Sequence, residues 1–104
     1  MTLEELKESC ENEGFQYAFG KFTKSVNPPH IIVTIIDSNN FGADNKVYYK
    51  SLNGRLELTT LKKDLSLQKK IEGSILSEIY WEKEEGIIAD EEVYNTSYFF
   101  ELEE

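Results

Sequence analysis

Val47-Tyr48-Tyr49-Lys50-Ser51-Leu52-Asn53-Gly54-Arg55-Leu56-Glu57-Leu58-Thr59-Thr60 is the stretch on which a reading of the fold turns. Asn and Gly both tolerate positive φ, so Asn53-Gly54 between two apolar-alternating runs predicts a type I′ hairpin turn. Counting back from that turn pairs Leu52 with Arg55, Lys50 with Glu57, Tyr49 with Leu58 and Val47 with Thr60. In this register Val47, Tyr49, Leu56 and Leu58 share one face, while Lys50 meets Glu57 and Tyr48 meets Thr59 on the other.

Upstream, Thr2 and Glu5 form a capping-box pattern. The helix it opens runs to about Glu13, with Leu3, Leu6 and Cys10 on one face and Gly14 as its left-handed stop. Phe15-Gln16-Tyr17-Ala18-Phe19 alternates with period two and predicts a strand. A loop through Asn27-Pro28-Pro29 follows, because neither proline donates to a sheet. His30 to Ile36 is a β-branched run of the kind found in strands covered on both faces, and it ends at the turn-forming Asp37-Ser38-Asn39-Asn40.

Downstream, Asp64 is a good N-cap for a second helix over about 65–78, with Leu67, Ile71, Ile75 and Ile79 at spacing four and a costly Gly73 inside it. Two last strands are predicted at about 79–83 and 93–102, the latter placing Tyr94, Thr96, Tyr98, Phe100 and Leu102 on one side. Between them Glu84 to Glu92 reads as an acidic, mobile connection. The succession α-β-β-β-β-α-β-β defines an α+β domain, a mainly antiparallel sheet packed by two helices.

The chain of 104 residues has the size of one domain, and 39% hydrophobic with 12% aromatic residues can fill one modest core. No stretch approaches the roughly 18 apolar residues of a membrane span. A start without basic and apolar leader regions, and a single cysteine, lead us to expect a cytosol-like, reducing compartment.

The net charge of −9 is concentrated late in the chain, where residues 82–104 carry nine acidic residues against Lys83 alone. Such a surface repels phosphate backbones, which disfavours nucleic-acid binding, and steers a basic protein partner.

Chemistry-bearing constellations are sparse. Cys10 and His30 are the only residues of their types, and nothing in the sequence brings them together as a nucleophile and its base. A structural zinc site needs four Cys/His ligands. Asp37 to Gly42 imitates the opening of a calcium loop, but Phe41 and Tyr48 stand where oxygen ligands are required. No phosphate-binding glycine loop is present, and Glu91-Glu92 reads as a solvated pair. We therefore expect no catalytic residue, metal or cofactor. Functional weight falls on the polar loop 38–45, tipped by Phe41, which can insert its ring into a partner or fold back on the core. These features suit an interaction or assembly subunit, with an acidic binding module or inhibitor of a basic partner as the alternative.

Several stretches resemble the small head–tail joining proteins of tailed phages and prophages of Gram-positive bacteria. They are Pro28-Pro29-His30-Ile31-Ile32-Val33, Ser38-Asn39-Asn40-Phe41 with Ala43-Asp44, Val47-Tyr48-Tyr49-Lys50, Glu57-Leu58-Thr59-Thr60 with Lys62-Lys63-Asp64, and Val93 through Leu102. The resemblance covers about residues 15–102. It departs at His30, where such proteins often have an aromatic, at Leu65, where proline commonly opens the second helix, and at Leu61, where a polar residue is usual. It implies a tail-terminator-like fold and a tail-completion role, a ring that caps the tail tube and receives the head connector, in the virion and, during assembly, in the host bacterial cytoplasm. Self-association and contacts with tail-tube and connector proteins would then run through Asn39, Asn40, Phe41 and Asp44, with Asp90, Glu91 and Glu92 facing a partner.

Overall fold

Thr2 caps the first helix as its sequence pattern requires. Its hydroxyl accepts from the Glu5 amide at 3.2 Å, and the Glu5 carboxylate accepts from the Thr2 amide at 3.2 Å. The computed structural model describes residues 1–43, 46–88 and 92–103, with backbone alone for residues 39–43, 46–50 and 88. Helix α1 (Leu3–Asn12) buries Leu6 and Cys10 and stops where Gly14 takes a φ of 86°.

The strands are β1 (Tyr17–Phe19), β2 (His30–Ala43) and β3 (Lys46–Thr60), then, after helix α2 (Leu65–Lys70), β4 (Trp81–Ile88) and β5 (Val93–Glu103). They form one five-stranded sheet in the order β1-β2-β3-β5-β4. Among the described strand pairs only the short β1–β2 pair is parallel. The α+β class, two helices on a mainly antiparallel sheet, is as expected. The expected succession α-β-β-β-β-α-β-β holds once the two strands on either side of Asn53-Gly54 are counted as the single strand they form.

That fusion corrects the reading of the turn. β3 runs straight through Asn53-Gly54, pairing Gly54 with Ile35 on one side and with Phe100 on the other. Lys50 therefore faces Asn40, and Glu57 faces Ile32 and Ser97. Gly54 does not take positive φ. A Cβ there would lie 2.8 Å from Cε2 of Phe100, whose ring lies over the glycine. Gly54 serves close approach, so the same residue that suits a turn is demanded by a cross-strand aromatic.

Three further differences follow from tertiary packing. β2 continues to Ala43 through the stretch read as a loop, with bulges after Ile35 and Phe41. It is covered on one face only, because Ile31 and Val33 are buried while Ile32 and Thr34 are half-buried. The second helix is short. After Lys70 the chain widens into a π-helical turn, Ile71–Ile75, in which the Leu76 amide donates to the Ile71 carbonyl at 2.8 Å. The extra residue turns Leu76 into the core with Ile71 and Ile75. β4 starts later than expected and reaches Ile88, so Glu84 and Glu85 lie in a strand rather than in the connection.

The core lies between the helices and one sheet face. Leu6, Cys10, Ile31, Val33, Leu56, Leu58, Ile71, Ile75, Leu76, Tyr98 and Leu102 are all at most 2% exposed. At roughly 25 cal/mol per Å² of apolar surface, each such aliphatic side chain contributes about 1.5–3 kcal/mol against the entropy of ordering it. Among the described residues no helix packs on the opposite face, with Arg55, Glu57, Asn95, Ser97 and Phe99.

Candidate functional site

Strand pairing singles out a projecting arm. The last pair joining β3 to β5 is Ser51 with Glu103. Beyond it Asn40 pairs with Lys50, Phe41 with Tyr49, Gly42 with Val47 and Ala43 with Lys46, in a ribbon of β2 and β3 alone. Five residues at about 3.4 Å each carry this ribbon roughly 17 Å past the third strand.

Of the residues chosen from sequence, Asn39, Asn40 and Phe41 fall at the base and along the arm of β2, not on a loop. Asp44 lies outside the described residues. So do Asp90 and Glu91, while Glu92, exposed and with a φ of 53°, leads into β5. Glu92 and the stretch Asn39–Phe41 lie toward opposite ends of the sheet, because Val93 pairs with Ile88 at one end and Asn40 with Lys50 toward the other.

Several strand edges are open among the described residues, two of them long. β1 covers β2 only from Ile31 to Val33, leaving Thr34 to Ala43 partnered on the β3 side alone. β4 is the other outer strand, and Glu82, Lys83, Glu84 and Glu85 load it with charge, as edges guarded against unspecific pairing are.

A polar belt fastens β4 and β5 to the second helix. Tyr98, fully buried, donates its hydroxyl to Glu72 at 2.7 Å, and Lys83 donates to Glu72 at 2.8 Å and to Gln68 at 3.2 Å. Gln68 in turn donates to Glu85 at 2.8 Å. Burial pushes the Glu72 carboxyl up, but the donors Lys83 and Tyr98 outweigh it and hold the group below the ordinary carboxylate range. Burial and the Glu72 acceptor together keep Tyr98 neutral. Every member has a partner within the belt, so the belt reads as structural.

The sequence reading missed a groove at the arm end of the uncovered face. It has a volume of about 600 Å³ and takes its walls from Ile36, Tyr80, Glu82, Phe99 and Glu101. The Tyr80 hydroxyl donates to Glu82 at 2.9 Å. Ile36 is 54% exposed and Tyr80 78% exposed, so the groove is apolar with an acidic wall. Its signal in sequence was the run Tyr98-Phe99-Phe100, which must send an aromatic to each face of a strand.

Cys10 and His30 are placed apart. Cys10 sits in the core beside Leu6, where burial, with Glu11 nearby, pushes its thiol up to about 12. His30 opens β2 with its ring edge-on to Phe22 at 5.2 Å, and burial lowers its pKa. Among the described residues no group of three His, Cys, Asp or Glu side chains is arranged to hold a metal ion. No helix there is long and apolar enough to cross a membrane. Comparison with protein-family models and with curated proteins finds no match.

Proposed function

We propose that this chain is a structural subunit of head–tail joining in a tailed phage or prophage, of the tail-completion kind. Identical copies close into a ring that caps the tail tube and contacts the head connector. The sequence resemblance supplies the kind of assembly, and one structural observation carries the role, the two-stranded arm of residues 39–43 and 46–50. A ribbon of two strands is marginal in water and gains stability when a third surface packs on it. An arm that projects past its own sheet is therefore suited to lie against a neighbour. Many identical arm contacts in a closed ring then sum to a stable collar.

The test is to shorten the arm. Replacing residues 41–49 by Asn-Gly joins the paired Asn40 and Lys50 through a two-residue turn. The variant should keep a cooperative melt, since the core lies elsewhere, yet lose the rings seen by negative-stain microscopy at high concentration or with tail-tube protein. It should also fail to restore joined particles when supplied to a phage lacking this gene. Rings from the shortened protein would remove the role of the arm. Wild-type protein that forms no ring under either condition would remove the assembly reading. An acidic inhibitor would instead bind one basic target at 1:1 with steep salt dependence.

A further inference from the structure

We infer that copies of this chain associate head to tail, the basic corner of β1 on one copy, Phe19, Lys21 and Lys24, docking into the acid-walled groove of the next. This rests on the assembly reading and names the surfaces through which the ring would close.

The charge distribution selects the occupant. A protein of net charge −9 repels its own copies over most of its surface, so self-association has to use whatever surface is free of acid. Between Glu13 and Asp37 the chain has no acidic residue at all, and its charged side chains there are Lys21 and Lys24, both exposed. Just before them in sequence, Phe19 is 52% exposed at the end of the outermost strand, where Glu4 and Lys7 of α1 line a pocket with it. The lysines in and just before the second helix are less suitable. Lys63 is engaged by Glu85 at 3.4 Å, and Asp64 and Glu72 are interspersed with Lys69 and Lys70.

The groove offers the complement. Ile36, Tyr80 and Phe99 present apolar surface, and Glu82 and Glu101 supply the negative wall. An aromatic ring flanked by lysines fits such a site twice over, by burying the ring and by pairing charge at the rim, where water is partly excluded. Groove and corner are different surfaces of one molecule, so the contact is heterologous and propagates from copy to copy until the rotation closes.

A charge swap tests this directly. Variant one carries Lys21→Glu and Lys24→Glu. Variant two carries Glu82→Lys and Glu101→Lys. All four residues are exposed, so circular dichroism melts should stay within a few degrees of wild type. Sedimentation velocity should show wild-type self-association that weakens with salt. Each variant alone should associate at least about tenfold more weakly, because it sets like charges against each other. Mixed in equal amounts, the two should recover oligomers in which they alternate, since each corner then meets a groove of opposite sign. Oligomers of either variant alone at wild-type strength would sink the pairing while leaving the ring reading intact. So would failure of the mixture to recover. Wild-type protein that stays monomeric alone but forms rings with tail-tube protein would overturn self-docking and point to a basic partner in the groove. Absence of rings under both conditions would overturn the assembly reading with it.

Discussion

Replacing Gly54 by Ala places a methyl group 2.8 Å from Cε2 and 3.3 Å from Cζ of Phe100. Phe100 is 5% exposed and belongs to the core, so its ring can relieve the clash only by shifting against packed neighbours or into the groove it borders. Overpacking of this kind costs about 1–3 kcal/mol. Ala also removes unfolded-state freedom, a gain of about 0.4–1 kcal/mol. The net expectation is a loss of about 1–2 kcal/mol, which at roughly 4–8 °C per kcal/mol lowers Tm by about 5–15 °C. A thermal melt measures this, but the decisive assay is a double-mutant cycle with Phe100→Leu. Once the ring is gone the clash is gone, so Gly54→Ala should become neutral or stabilising in that background, giving a coupling of about 1–3 kcal/mol. A left-handed turn at Gly54 would penalise Ala by about 1–2 kcal/mol whatever occupied position 100. Equal costs in the two backgrounds would therefore refute the packing of Phe100 over Gly54 and restore the hairpin turn.

Two other consequences are open to measurement. Because the Glu72 carboxyl is held below its ordinary value of 4.5 in the folded protein, the stability it contributes is present above that value and is lost as pH falls through the lowered one. Glu72→Gln should cost about 1 kcal/mol at pH 7 by denaturant titration, and the two melting curves should converge in acid below the ordinary carboxylate range; a gap that persists there would show that charge is not what Glu72 contributes. Cys10, with its thiol pushed up to about 12 in the core, should react with a disulfide reagent at pH 8 only as fast as the protein opens, and immediate labelling of the native state would contradict its burial.

What the sequence determined by itself was whatever depends on neighbours a few residues apart. The Thr2–Glu5 box, the stop at Gly14, the Asp64 cap accepting from the Leu67 amide at 3.1 Å, and the one-sided row Thr96, Tyr98, Phe100 and Leu102 all follow from local hydrogen bonding or from period two. The α+β class followed from the order of those elements. Asn53-Gly54 was misread because a turn signal is local, whereas the residue that decides it, Phe100, arrives from β5 far along the chain. The length of β2 was hidden for a similar reason, since Ser38 to Phe41 pair with Leu52, Ser51, Lys50 and Tyr49 despite their turn-forming composition. The groove was equally illegible. Its walls come from β2, β3, β4, β5 and the two residues before β4, so only the sheet order β1-β2-β3-β5-β4, a matter of which strands compete for which edges, brings Ile36, Tyr80 and Phe99 together.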